Sequence, residues 1–105
     1  MGGPTYLVLT ALAGGRRHGY AVMQDVATIS AGKVRLRAGT LYATLDRLLG
    51  EGLVEVAGEE VVDGRARRYY VLSDQGVSVL AAESQQRAVI ATEALRRLDL
   101  AGGVA

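Results

Sequence analysis

The chain has 105 residues, half of them hydrophobic, which suits one small domain with a modest core. It has no cysteine, which excludes disulfide bonds and thiolate metal sites and is typical of a reducing cytoplasm. No apolar run is long enough to span a membrane, and the Met-Gly-Gly-Pro start lacks the charged region of a signal peptide. We therefore expect a cytoplasmic protein without a membrane anchor. The formal net charge of +1 does not by itself indicate a nucleic-acid partner.

Two short helices are predicted in the N-terminal third. Pro4 suits the first turn of a helix, because its missing N–H would have no partner there, and Gly14-Gly15 is a stop signal. The first helix is therefore expected at about 4–14. The second, at about 19–29, follows a short turn at 16–19 and has apolar residues at helical spacing.

The stretch from Gly39 to Leu49 has the clearest pattern in the chain. Leu41, Leu45 and Leu48 recur at helical spacing and predict a helix with one buried side. The opposite side has small residues, hydroxyls and an arginine, which allow close approach to DNA and donate hydrogen bonds to phosphates and base edges. The sequence predicts a DNA-recognition helix. Its predicted contact residues are Thr40, Tyr42, Ala43, Thr44 and Arg47. The alternative is an ordinary surface helix in which Arg47 only pairs with Glu51.

From Leu53 onward the hydrophobic period changes from helical to alternating. This change predicts two β-strands joined at Asp63-Gly64, a dipeptide typical of hairpin turns. That turn places Val56 opposite Val71, and a bulge is expected near Gly58. Helices followed by a β-hairpin form the winged helix-turn-helix arrangement, in which the hairpin is the wing.

Several basic and aromatic residues near the hairpin and the helix starts are further candidates for DNA contact. Arg65, Arg67 and Arg68 follow the hairpin turn, where they would contact phosphates or the minor groove. The alternative is a solvated turn. Arg37 precedes the third helix and Tyr20 begins the second, and both are candidates for phosphate contact, although Tyr20 could equally belong to the core.

A long final helix is predicted after Ser73-Asp74, which offers an N-cap. Small and apolar residues recur there in alternating steps of three and four, as in coiled coils. Some 25 residues would form a rod of roughly 37 Å, longer than a small domain needs. We interpret it as a dimerisation helix that gives two recognition helices the spacing of a palindromic site; the alternative is a helix folded back on its own domain. The predicted dimer contacts are Val77, Leu80, Ala81, Ser84, Ala88, Ala91, Leu95 and Leu98.

Five motifs, in this order over residues 5–76, resemble the PadR-like family of bacterial transcriptional regulators. They are the Leu-x-x-Leu first helix, His18-Gly19-Tyr20, Gly39-Thr40-Leu41-Tyr42, Gly52-Leu53-Val54 and the wing sequence from Asp63-Gly64-Arg65 to Leu72-Ser73. The resemblance implies a mainly α fold with a small β-hairpin. It places a winged helix-turn-helix DNA-binding domain at 1–73 and a single dimerisation helix at 74–105. Where the family often has Ser-Pro before its Gly-Thr-Leu-Tyr, this chain has Arg37-Ala38, so the helix needs another cap.

The resemblance also bears on ligands. Compact relatives that this chain resembles can hold flat aromatic ligands between subunits, often stacked on tryptophan. This chain has no Trp or Phe, so an apolar effector would lie against Leu95, Val89 and Tyr6 instead. No cofactor or metal is expected.

The predicted function is a dimeric, sequence-specific DNA-binding regulator, acting as a ligand-responsive repressor on a palindromic operator in double-stranded DNA. The alternative is a winged-helix protein-interaction module that binds no DNA, and salt dependence would separate the two. An enzyme is not expected, because His18 is the only histidine and no paired carboxylates accompany it.

Overall fold

A computed structural model describes residues 1–100 of the chain. In chain order its elements are α1 (Gly3–Ala13), β1 (Arg17–His18), α2 (Gly19–Ile29), α3 (Ala38–Gly50), β2 (Val54–Val62), β3 (Arg65–Leu72) and α4 (Asp74–Leu100). The predicted order of three helices, a hairpin and a long final helix is confirmed. Residues 101–105, which belong to the predicted dimerisation segment, lie outside the described part of the chain.

The core lies between α1, α2 and α3: α2 and α3 each turn one apolar side toward it, and α1 is apolar over most of its surface. Tyr70 from β3 and Leu80 from α4 close this core, with 3% and 8% of their surfaces exposed. Full burial of one such side chain contributes about 1.5–3 kcal/mol. The buried leucines of α3 therefore fix how the helix is rotated about its axis, and its opposite side faces solvent. The fully buried large side chains are Val8, Leu9, Leu12, Val22, Val26, Leu41, Leu45, Leu48 and Val54.

Both ends of α3 have the chemistry that their sequence indicates. Gly52 follows its C-terminus with a φ of +76°, and the N–H groups of Gly52 and Leu53 donate to the carbonyls of Leu49 and Leu48 at 3.1 and 3.0 Å. This is a left-handed cap, which satisfies carbonyls that the helix leaves open. At the N-terminus, Arg37 makes no side-chain cap hydrogen bond. The first N–H groups of α3 therefore remain available to an anionic group.

Ser73 connects the start of α4 to the end of α3. Its hydroxyl oxygen accepts a hydrogen bond from the Gly76 N–H at 2.9 Å, and the hydroxyl donates to the Gly52 carbonyl at 2.6 Å. Ser73 is the predicted N-cap of α4. The same hydroxyl therefore ties the first turn of α4 to the turn that follows α3.

Two expectations about the sheet are wrong. The predicted turn at 16–19 contains a two-residue strand, β1, which pairs with β3 and makes a sheet of order β1-β3-β2. Val56 pairs with Tyr70 instead of Val71, because the register shifts between Val56 and Glu59. The extra residue of this expected bulge moves by one position every pair that lies on the far side of the bulge from the hairpin turn.

Helix α4 extends well beyond the domain from which it starts. Its N-terminal part packs on α1 and β3, whereas nearly all side chains from 88 to 99 are exposed. Its 27 residues would span about 40 Å, and the described chain measures 59 × 27 × 19 Å. No helix within residues 1–100 is both long and apolar enough to cross a bilayer.

Candidate nucleic-acid interface

The side of α3 opposite its buried leucines is open to solvent. Thr40 and Ala43 are exposed there, and 44% of the Tyr42 surface is exposed. Thr44 is half-buried, and its hydroxyl donates to the Thr40 carbonyl at 2.9 Å, so this hydroxyl is already used within the helix. Arg37 is exposed at the N-terminal end of the same helix.

Arg47 lies at the other edge of this surface. Its guanidinium donates to the carboxylate of Glu51 at 3.1 Å and to the hydroxyl of Thr5 at 2.7 Å. The Glu51 pair is the alternative that the sequence left open, and the contact with α1 was not predicted. Glu51 is exposed and Thr5 is half-buried, and the Thr5 contact ties Arg47 to the first turn of α1.

An open groove of about 840 Å³ separates α3 from the wing, the hairpin formed by β2 and β3. Tyr42 and Asp46 of α3 form one wall, and Arg65 and Arg68 of β3 form the other, with Tyr70 at its base. The structure therefore brings two separate sets of predicted contact residues to a single groove. Its other lining residues include His18, Tyr20, Glu59 and Arg67.

The wing arginines differ in the partners they have. Arg68 Nε lies 3.2 Å from Glu59 Oε1, and both side chains are about half exposed. Such a pair contributes at most about 1 kcal/mol in water, so an approaching phosphate can replace Glu59. Within residues 1–100, neither Arg65 nor Arg67 takes part in an ion pair. Of the three wing arginines, these two are the more available to a phosphate.

Three acidic residues of the groove were not predicted as site residues: Asp46, Glu59 and Asp63, the last of which was predicted only as part of the hairpin turn. Asp46 follows Tyr42 by four positions in a helix, so helical spacing alone places both on neighbouring parts of one surface. Glu59 carries no comparable signal, because its place opposite Arg68 depends on the register of the hairpin.

Arg16 holds the base of the wing from outside the groove. Its guanidinium stacks 4.0 Å above the centre of the Tyr69 ring, and its Nη1 donates to the Ala57 carbonyl at 3.1 Å. Ala57 is part of the bulge, beside Gly58 with its φ of +113°. The Tyr69 hydroxyl also donates to Glu60 on the neighbouring strand. These contacts link the α1–β1 turn to the wing and restrict the orientation of the wing relative to the helices.

His18 caps α2 and lies beside the groove. Its Nδ1 accepts a hydrogen bond from the Ala21 N–H at 3.2 Å. Burial lowers the pKa of His18, the positive charge of Arg67 lowers it further, and Glu60 opposes this effect. Tyr20 next to it is 59% exposed, which excludes the core alternative. Within residues 1–100, no group of three or more His, Asp or Glu side chains is placed to hold a metal ion.

Asp46 also affects the tyrosine at the base of the groove. Burial raises the pKa of the Tyr70 hydroxyl, which the Arg68 guanidinium opposes, while the charges of Tyr42 and Asp46 raise it further. The Asp46 carboxylate is thus electrostatically part of the groove.

The predicted dimer residues fall into two groups along α4. Val77, Ala81 and Ser84 line an apolar crevice of about 430 Å³ between α4, the end of α1 and the end of β3. Leu80 belongs to the core of the domain, and Ser84 hydrogen-bonds the Tyr6 hydroxyl at 2.8 Å. We therefore leave Leu80 out of the proposed dimer contact.

The second group lies on the part of α4 that extends beyond the domain. Ala88, Ala91, Leu95 and Leu98 are exposed there, together with Ile90, which was not predicted. An amphipathic helix normally packs its apolar residues against a core, whereas these apolar residues face solvent.

The predicted effector contacts do not come together within a single chain. Tyr6 is covered by the Arg87 guanidinium, which lies 3.9 Å above its ring. Val89 and Leu95 are six positions apart in a helix and therefore point to different sides of α4.

Comparison with known proteins gives a consistent family. The sequence profile described as the transcriptional regulator PadR-like family matches residues 8–82. The transcriptional regulator Rv3488 of Mycobacterium tuberculosis is 38% identical over 78 residues, which cover 74% of this chain and 69% of that protein.

Solved structures of low sequence identity share the fold. A PadR family transcription regulator from Clostridium difficile R20291 superposes with a TM-score of 0.76 at 22% identity, covering 92% of this chain and 99% of the other. Bacillus subtilis PadR, solved in complex with operator DNA, superposes with a TM-score of 0.67 at 20% identity. The matched region covers 75% of this chain and 45% of the Bacillus subtilis chain. The family consists of transcriptional regulators and not of enzymes, as predicted. The chain belongs to the PadR-like family of transcriptional regulators.

Proposed function

We propose that the protein is a dimeric transcriptional regulator that binds a palindromic operator in double-stranded DNA, with α3 in the major groove and the wing beside it. The observation that carries this proposal is the shared groove, in which an exposed surface of α3 faces arginines of the wing. Bacillus subtilis PadR, which shares this fold, was solved with operator DNA. A regulator of this kind acts on the chromosome, and we therefore place it in the cytoplasm.

The charges of the groove suit a contact that depends on the DNA sequence. Three arginines face three acids, Asp46, Glu59 and Asp63, so the groove has no large excess of positive charge. Phosphate attraction alone supplies sequence-independent affinity. In a balanced groove a larger share of the affinity must come from fitted contacts with bases and phosphates.

We assign residues 1–73 to DNA binding and residues 74–105 to dimerisation. The exposed apolar side of α4 supports this division, because an isolated helical segment without packing is only marginally stable in water. A second copy of the chain offers a matching apolar surface, the crevice beside Val77 and Ala81.

Sequence spacing along α4 suggests how two copies fit. Ala81 and Leu95 each lie seven residues from Ala88. An antiparallel pair with its two-fold axis at Ala88 therefore places the partner's Leu95 opposite Ala81, at the crevice. The small Ala88 side chains allow the two helices to approach closely at the axis.

The dimer is tested by the variant Ala88→Glu, which brings two carboxylates together at the axis. Its matched control is Gln86→Glu, which adds the same charge on the opposite side of the helix. Sedimentation at micromolar concentration should give a dimer for the wild type and the control and a monomer for Ala88→Glu. A wild-type monomer, or equal dimerisation of both variants, would contradict this arrangement.

DNA binding is tested by titrating the protein against labelled DNA from upstream of its own gene over a series of salt concentrations. If Arg65 and Arg67 of both copies each displace a counterion, the logarithm of the affinity should fall with a slope steeper than about −3.5 against the logarithm of salt. The double variant Arg65→Ala/Arg67→Ala should lower that slope. Absence of DNA binding, with salt-insensitive binding of a protein partner, would instead indicate a protein-interaction module.

We also propose that the protein represses its target and responds to an apolar effector at the dimer contact. Leu72 at the end of the wing and Val77 at the start of α4 line the same crevice. A molecule held there would touch both the wing and the dimer helix, and could change the spacing of the two recognition helices. A reporter gene behind the upstream DNA should be more active in cells without the protein, whereas lower activity would indicate an activator.

A further inference from the structure

Asp46 is an unusual residue for a surface that meets DNA. Its carboxylate is exposed on α3 and lines the groove, where a phosphate would repel it. Within residues 1–100 it takes part in no ion pair, whereas the neighbouring Glu59 is paired with Arg68. Asp46 therefore keeps its full capacity to accept hydrogen bonds from a ligand.

The surroundings of Asp46 allow its short side chain to reach a base. The outer surface of α3 contains Gly39, Ala43 and Gly50, and a Cβ added at either glycine would meet no atom within 4 Å. The large exposed side chains nearest to Asp46 on α3 are Tyr42, which forms the groove wall beside it, and Arg47, which is bound to Glu51 and Thr5. Small residues occupy the rest of this surface. Asp46 follows Ala43 by three positions and so projects from the same surface.

The chemistry of the base edges decides which base such a carboxylate accepts. In the major groove only the amino groups of cytosine and adenine donate hydrogen bonds. Adenine places the N7 lone pair beside its amino group, and guanine presents two acceptors, so both repel a carboxylate. Cytosine presents its N4 amino group without an adjacent acceptor.

Resting on the proposed DNA-binding function, we propose that Asp46 is a specificity-determining residue, whose carboxylate accepts a hydrogen bond from the N4 amino group of a cytosine in each operator half-site. The hydrogen bond offsets the repulsion between Asp46 and the phosphates at the correct sequence. At other sequences the repulsion remains, and the protein is rejected.

The test starts with a selection of bound duplexes from random DNA by the wild-type protein. The selected site is then resynthesised with each base pair changed in turn, symmetrically in both half-sites, and the affinities are compared with those of Asp46→Asn. The matched control is Asp63→Asn, which removes the same charge from the same groove. Asp63 has a φ of +52°, a conformation that asparagine tolerates.

At one position of each half-site the wild type should bind a C·G pair with about tenfold higher affinity than the other pairs, which is the discrimination that a single base contact typically gives. Asp46→Asn should lose the preference at that position and keep the others, and Asp63→Asn should keep them all. An equal change of affinity for every sequence in Asp46→Asn, or no change, would overturn the proposal and leave the DNA-binding function standing. A wild type that selects no DNA would overturn both.

Discussion

The phenol ring of Tyr42 lies against the backbone of Gly19, so closely that a Cβ at Gly19 would overlap the ring and its hydroxyl. Tyr42 belongs to α3, and Gly19 is the first residue of α2. The absence of a side chain at Gly19 therefore determines where the exposed ring of Tyr42 stands in the groove. This relationship explains, in physical terms, the glycine between His18 and Tyr20.

Gly19→Ala should displace Tyr42 and lower the affinity for operator DNA, because the ring can no longer stand at the edge of the groove. The atoms that a Cβ would meet belong to the far end of an exposed side chain, which can swing aside, so the free energy of unfolding should fall by about 1 kcal/mol at most, the low end of the range for overpacking. Urea unfolding measures the stability and DNA titration measures the affinity. In the Tyr42→Ala background the same substitution should cost much less stability, since the overlapping ring is gone. Equal costs in both backgrounds would contradict the contact.

Arg47→Ala should lower operator affinity by about 1–3 kcal/mol and change the preferred sequence, if Arg47 reads a guanine. In the free protein Arg47 is held by Glu51 and Thr5. Breaking the exposed ion pair with Glu51, four residues further along the helix, costs only a few tenths of a kcal/mol. The Arg47 guanidinium can therefore exchange this partner for DNA. Glu51→Gln is the matched variant, which should raise the affinity slightly. An equal loss for every DNA sequence in Arg47→Ala would assign it to phosphate contact.

Stability should fall as the solution is acidified below about pH 6.5, in part through His18. Burial, aided by Arg67, lowers the pKa of His18 below its usual value of 6.5. The unfolded chain then binds the proton at a higher pH than the folded chain, and stability is lost as the pH falls from 6.5 to the folded-state pKa. The protonated Nδ1 also can no longer accept the Ala21 N–H.

The variant His18→Asn separates this effect from the titration of the carboxylates. Asparagine can cap α2 but has no charge to gain. Urea unfolding at pH 7.5 and 5.5 should show a smaller loss of stability for His18→Asn than for the wild type. The same loss in both proteins would show that His18 has no part in it.

Gly76→Ala should destabilise the protein by at least about 1–3 kcal/mol, as overpacking against a rigid group does. A Cβ at Gly76 would overlap the Leu53 carbonyl oxygen and lie 3.0 Å from the carbonyl carbon. These are backbone atoms that cannot rotate away. Gly50→Ala, in a helix and with open space around it, should be neutral or stabilising by up to about 1 kcal/mol. Thermal unfolding of the two variants should separate them clearly, and similar midpoints would contradict the close contact.

Most of the secondary structure was predictable because its signals are local. The leucines of α3, the Asp63-Gly64 turn and the capping Ser73 each act on neighbours within a few residues, and the structure confirms all three. The strand β1 was missed, since two residues have no period and form a strand only because β3 lies beside them. The predicted Val56–Val71 pair failed for a similar reason, because one bulged residue changes the register beyond it.

The sequence by itself determined which side of α3 is buried, where the wing turns and where the long helix starts, because these follow from periodicity and from residues with restricted backbones. Only the tertiary structure decided that Arg47 meets Thr5, that Arg16 holds the wing through Tyr69, and that Asp46 shares a groove with the wing arginines. Each of these contacts joins residues far apart in the chain. Their distances depend on how whole elements pack, and no local pattern encodes that packing.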